Sequence, residues 1–170
     1  MPVYLSFLPE GASFKGVNEE EVRRFAERVL RELGLEEAEL SLVLTDEGAI
    51  RELNRRWKQK DRPTDVLTFY QDCPDRDFPE DFDAEEFLKE LRKSCAGCRV
   101  LGDVVVSVDA AKRQAEEVGW SFEDELKRLV LHGIVHSLGL DHELSPEQDR
   151  KFRALEKLLW ERVEGKPFKV

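Results

Sequence analysis

Apolar positions recur along this chain with two periods, and the changes of period mark its elements. Val3–Leu8 (VYLSFL) alternates as a half-buried strand does. After Asn18, the positions Val22, Phe25, Ala26, Val29, Leu30 and Leu33 keep the three-and-four spacing of an amphipathic helix. Its first turn carries Glu19, Glu20 and Glu21 and its end carries Gly34, the charge and stop signals a helix needs. Leu40–Thr45 reads as a second strand, and Asp46 can cap a short helix through Ile50, Leu53 and Trp57. Asp65–Gln71 is a third strand, entered from the rigid Arg62-Pro63-Thr64. A short helix is expected over Ala84–Lys93, and Arg99–Val108 is the strongest strand pattern of all. Asp109 is placed to cap a helix that runs to Val118 and stops at Gly119. Ser121 and Asp124 form a capping box ahead of a helix whose apolar face holds Leu126, Leu129, Val130, Gly133, Ile134 and Ser137. Ser145-Pro146, with Gln148 two residues on, opens a last helix packed through Phe152, Leu155, Leu158 and Leu159. The expectation is one α+β domain over residues 1–170, a mixed sheet of about four strands with five or six helices.

Composition narrows the setting. A chain of 170 residues is long enough to bury a proper core in one domain. Net charge −10 opposes non-specific grip on nucleic acid or anionic membrane, and no apolar run approaches the roughly 18–20 residues of a membrane span. The first residues lack a basic lead and a small-residue cleavage site, so a cytoplasmic protein with no membrane partner is expected. An odd set of three cysteines, Cys73, Cys95 and Cys98, fits a reducing compartment better than a disulfide framework. Cys95-Ala-Gly-Cys98 is a single C-x-x-C that follows a helix-like run, the wrong place for a thioredoxin-type pair.

Two local departures stand out. Between residues 72 and 86 eight acids face the single base Arg76, with Phe78 and Phe82 among them and Phe87 next. The segment 72–98 reads as a solvated acidic insertion. In the opposite sense, Arg51–Arg62 carries six basic residues against Glu52 and Asp61. Such a cluster supplies phosphate contacts, and Trp57 could stack on a base. Arg55, Arg56 and Trp57 are therefore candidate substrate-binding residues, with Lys58 a candidate for the chemistry. An ordinary solvated helix face laced with ion pairs fits this stretch equally well.

The stretch Leu131–Glu143 (LHGIVHSLGLDHE) carries His132, His136 and His142, all the histidines the chain has. On a helix His132 and His136 sit one turn apart on one face, about 5–6 Å from each other. Gly139 can end that helix in a left-handed turn and bring His142 back to the same point. Three imidazoles with a fourth position open is a catalytic zinc arrangement rather than a closed structural one, which implies one zinc ion per chain and no small-molecule cofactor. The spacing H-x3-H-x2-G-x2-H matches metzincin proteases. Their glutamate after the first histidine, the general base, is replaced here by Gly133. Asp141 beside His142 is either a proton acceptor or a partner that orients a ligand.

Three blocks in order, Leu53–Phe69 (LNRRWKQKDRPTDVLTF), Leu101–Ser107 (LGDVVVS) and His132–His142 (HGIVHSLGLDH), resemble the YbeY-type rRNA-maturation endoribonucleases. With the elements between them, the resemblance covers nearly the whole chain. It implies a zincin-like fold and zinc on His132, His136 and His142. It also implies single-strand-specific RNA cleavage in 16S rRNA maturation and ribosome quality control, with rRNA or a ribosomal subunit as partner. Where that family usually has arginine after the aromatic of the first block, this chain has Lys58. Segment Asp72–Cys98 is longer than the family leads one to expect. A metallopeptidase or other metallohydrolase, and a ribosome-assembly or RNA-binding factor with a structural metal, are the competing readings.

Overall fold

The strongest strand pattern becomes an interior strand of the sheet. In the computed structural model, which describes residues 3–169, β4 (Val100–Ser107) lies between β2 (Glu39–Thr45) and β3 (Val66–Tyr70). β1 (Val3–Leu8) lies outside β2, so the order is β1-β2-β4-β3. β1, β2 and β4 run parallel, and β3 pairs antiparallel with β4. Among the described residues there are six helices: α1 (Glu19–Glu32), α2 (Glu47–Lys58), α3 (Ala84–Cys95), α4 (Val108–Val118), α5 (Phe122–Ser137) and α6 (Pro146–Glu164). The expected α+β class, strand number and helix number all stand. No helix among the described residues is long and apolar enough to cross a membrane.

Strand alternation sorts the core into two layers. Leu40, Leu42, Leu44, Val104 and Val106 face the larger cluster, with Phe25 of α1, Ile134 of α5 and Phe152 of α6. Val105 and Leu67 point to the other face, where Ile50 of α2 covers them. A period of two puts alternate residues on opposite faces, so β4 serves both layers at once. The helix starts are capped as their sequences require. Asn18 accepts from the amide of Glu21 at 3.2 Å, Ser121 from Asp124 at 3.1 Å, and Ser145 from Gln148 at 3.1 Å.

Two expectations are corrected. Ser107, not Asp109, caps α4, its hydroxyl accepting from the Ala110 amide at 3.1 Å. β4 runs straight into α4 with no loop, so the last strand residue takes the capping role. The Asp109 carboxylate accepts instead from the Glu47 amide at 2.8 Å, at the start of α2. The acidic segment is not merely solvated. Cys73, Phe78, Leu88, Leu91 and Cys95 are buried, and Phe78 packs on Phe82, Phe87 and Phe152 at 5.3, 5.0 and 6.3 Å between ring centres. Its charges stay outside while its aromatic rings anchor it on α6, and Lys151 of α6 donates to the Pro79 carbonyl at 2.7 Å.

Helix α5 lies against β3 and β4 at Gly133, where Thr68 of β3 donates to the Gly133 carbonyl at 3.4 Å. A Cβ at position 133 would sit 2.3 Å from Val104 Cγ1 and 3.1 Å from Val66 Cγ1. Neither valine is a flexible chain end, so the helix or the sheet would have to move. Alanine gains about 1 kcal/mol in helix propensity but overpacks by about 1–3 kcal/mol or more. Gly133→Ala is expected to destabilise the protein by about 1–2 kcal/mol, read from the denaturant midpoint; an unchanged or raised midpoint would refute this contact.

Candidate active site

The last two turns of α5 carry His132 and His136, and the chain then reverses. Gly139 has φ +87°, and a Cβ there would fall 2.0 Å from the Pro74 carbonyl oxygen. Only glycine permits both the left-handed turn and this approach. The amide of Arg76 donates to the Gly139 carbonyl at 2.9 Å, tying the acidic segment to the turn. The reversal brings His142 to the other two. Ring centres lie 4.8 Å apart for His132–His136, 4.8 Å for His132–His142 and 5.0 Å for His136–His142. One ligating atom from each falls within 4.8 Å of the others, comparable to the ~4 Å span across a zinc coordination sphere.

Each ring is also aimed. His132 Nδ1 lies 3.0 Å from the Glu156 carboxylate, His136 Nδ1 donates to the Leu140 carbonyl at 2.9 Å, and His142 Nδ1 faces Asp149 at 3.3 Å. Holding Nδ1 as the donor leaves the Nε2 lone pair free to ligate. Burial, with the neighbouring His132 and His142 rings adding to it, pushes His136 down to about 4. It therefore stays neutral at physiological pH, the form a metal needs. Beneath all three rings lies Phe152, fully buried, at 5.0, 4.9 and 5.3 Å from their centres. The donor set is all imidazole, oriented and partly desolvated, and it fits a zinc-like ion.

Asp149, Phe152 and Glu156 are spaced by three and four, so one face of α6 serves the cage. Helical spacing alone makes Phe152 a core residue and gives neither acid a role. A signal existed: Glu156 falls between Phe152 and Leu159 on an otherwise apolar stripe, and it is only 3% exposed.

A cleft of about 700 Å³ opens at His136. Lys58, Lys60 and Arg62 line one side, and Asp75, Asp77, Asp141 and Glu143 supply acids elsewhere on its wall. Lys58 ends α2 with its ammonium 5.0 Å over the Phe69 ring, a cation–π contact that steadies a charge otherwise left mobile. Asp141 lines the same cleft, and its carboxylate accepts from the Glu143 amide at 2.9 Å. Arg55, Arg56 and Trp57 are not among the lining residues. Arg55 is paired with Glu52 on the outer face of α2, and Trp57 is 64% exposed. So His136, Lys58 and Asp141 share one cleft, while Arg55, Arg56 and Trp57 are not part of its lining. Gly133 points its missing side chain into the sheet, so this helix offers no carboxylate from that position.

The comparisons with known proteins agree with this geometry. The family model described as Endoribonuclease YbeY matches residues 11–164. The chain belongs to the YbeY endoribonuclease family. An Aquifex aeolicus Endoribonuclease YbeY is 46% identical over 140 residues, 82% of this chain and 80% of that protein. Its Persephonella marina namesake is 36% identical over 149 residues, covering 88% and 86%. The Bacillus mycoides YbeY is 34% identical over 163 residues, covering 94% and 96%. Among solved structures, the solution structure of TM1509 from Thermotoga maritima shares the fold, with TM-score 0.52 and 24% identity over 96% of this chain and 92% of that one.

Two outcomes test the cage. In metal-free protein the His136 ring is expected to titrate near pH 4, followed by NMR. Its pKa is depressed in the folded state, so folded stability should be fully present above about 6.5 and fall as pH drops from there towards 4. A ring that titrates near 6.5 would show that it is neither buried nor crowded. Glu156→Gln is expected to weaken metal binding about 10–100-fold by releasing the His132 ring, as measured by competition with a chromogenic chelator. Unchanged affinity would remove Glu156 from the cage.

Proposed function

We propose that this chain is a metal-dependent endoribonuclease that cuts single-stranded RNA. Its ion is zinc, one per chain on His132, His136 and His142. Its substrate is rRNA, free or within a ribosomal subunit, in cytoplasmic 16S rRNA maturation and ribosome quality control. The observation that carries the reading is an oriented three-histidine cage opening into a cleft lined by Lys58, in a member of the YbeY family.

A bound zinc ion supplies Lewis acidity, which polarises a phosphoryl oxygen and acidifies water. The protein's own groups do the rest. Lys58, with Lys60 and Arg62 along the same side, holds the phosphodiester and offsets the charge that develops on it. The acids that also line the cleft repel phosphate, which favours a strand held at the basic residues. Asp141, beside His142 in the chain and lining the cleft, is the carboxylate that holds or accepts a proton there, and the RNA 2′-hydroxyl supplies a further route for proton transfer. Arg55, Arg56 and the exposed Trp57 grip the strand beyond the cleft by phosphate pairing and base stacking, a role their exposure on α2 supports. Peptide hydrolysis would need a carboxylate beside the ion, and Gly133 cannot supply it.

Metal-loaded, chelated and zinc-restored protein, each offered single-stranded RNA, structured RNA and casein, tests the reading. Cleavage of single-stranded RNA that chelator abolishes and zinc restores is expected, with casein untouched. Lys58→Ala is expected to lower kcat about 10²–10³-fold with metal content and melting temperature unchanged, while Lys58→Arg stays active. Chelator-sensitive proteolysis would establish the peptidase instead. Metal binding with neither substrate cut would establish a ribosome-assembly factor.

A further inference from the structure

The three cysteines of the chain meet at one place, and none of them lines the histidine cleft. Cys95 ends α3, and the Cys98 amide donates back to the Cys95 carbonyl at 2.9 Å, closing the C-x-x-C into a turn. Cys73 comes from the loop after β3 and is clamped over that turn from both sides. On one side the Asp72 carboxylate accepts from the amides of Arg99 and Val100 at 3.1 and 2.8 Å. On the other, the Arg76 guanidinium donates to the Ser94 hydroxyl at 2.7 Å. Residues 72 and 76 are thus bonded to the residues flanking 95–98, with Cys73 between them. The Cys98 thiol donates to the Val100 carbonyl at 3.9 Å, which keeps it on the turn beneath the Cys73 loop. Arg76 leaves its buried Nε without a partner beside this group.

We propose that Cys73 and Cys98 form a thiol-oxidation site that a peroxide converts to a reversible disulfide. Cys73 is the group attacked first. Its sulfur is held down to about 6, chiefly by the donated Cys95 thiol, with the Cys98 thiol and the Arg76 charge adding to it. A thiolate at neutral pH with a cationic neighbour is the reactive form of cysteine. At 5% exposure it favours a small oxidant such as a peroxide over a bulky one. Cys98 is pushed up to about 12, mainly by burial, and so waits as a thiol. It is only half-buried and belongs to a turn rather than a helix, so it can move onto Cys73.

The steps balance. The Cys73 thiolate attacks the peroxide, the O–O bond breaks, and sulfur is oxidised to sulfenic acid. The hydroxide released takes up the proton that Cys73 had lost. The Cys98 sulfur then attacks Cys73, the S–S bond forms, the S–O bond breaks, and water leaves with the Cys98 proton. Two thiols and one hydrogen peroxide give one disulfide and two waters. The link ties the loop that supplies Asp75 and Asp77 of the cleft to the α3–β4 turn.

Trypsin separates the partners, because Cys73 precedes Arg76 while Cys95 and Cys98 share the peptide Ser94–Arg99. Folded protein treated with hydrogen peroxide, digested without reductant and analysed by mass spectrometry is expected to yield these two peptides joined, with one free thiol left per chain. Dithiothreitol should release them. Cys95→Ser, which keeps a hydroxyl donor to Cys73, should retain the link, and Cys98→Ser should lose it. A loop closed within Ser94–Arg99, a link that survives Cys98→Ser, or three thiols still free after peroxide would each overturn the proposal.

Discussion

Everything in this protein depends on how closely helix α5 approaches the sheet. At Gly133 the separation leaves no room for a Cβ against Val104 and Val66. The same contact fixes the rotation of α5 about its axis. With Gly133, Ile134 and Ser137 turned inward, His132 and His136 are only half-buried, and His136 lines the cleft. A bulkier residue at 133 would lift the helix and carry both rings with it. The glycine that denies this chain a protease-type base is therefore the residue that positions its metal ligands.

Helix α6 completes what α5 begins. Phe152 lies under all three imidazoles, and Glu156 and Asp149 hold the Nδ1 atoms of His132 and His142. Desolvation by this apolar floor keeps His136 neutral, and the carboxylates fix ring direction without entering the coordination sphere. Floor and orienting groups come from one helical face, so a shift of α6 would disturb all three ligands together.

The acidic segment has a part in the same construction. Phe78 packs on Phe152, the Pro74 carbonyl sits against Gly139, and Arg76 bonds the Gly139 carbonyl. These contacts brace the turn that returns His142. Burying aromatic rings offsets the cost of gathering so many negative charges, since the charges themselves remain in water. The net charge of the chain is thus compatible with an anionic substrate, because Lys58, Lys60 and Arg62 line their side of the cleft while much of the acid is spent elsewhere on the surface.

The sequence by itself determined the elements, the histidine cage and the family. Periodicity and caps are local properties, and strand alternation, Asn18, Ser121 and Ser145 declared them directly. His132, His136, Gly139 and His142 lie within one helix end and its turn, so their meeting follows from local geometry as well. Tertiary structure alone decided which residues serve that cage from a distance. Glu156 and Asp149 approach the histidines only when α6 folds across α5, and no spacing along the chain encodes that crossing. Lys58 faces the cleft while Arg55, Arg56 and Trp57 do not, because α2 presents one side to the sheet and the other to water. Cys73 meets Cys95 and Cys98 only through the clamp of Asp72 and Arg76. The acidic segment carries the same lesson. Its charges were plain in the sequence, but burial of Phe78 depends on a partner seventy-odd residues away, Phe152, and contacts at that separation are set by packing rather than by pattern.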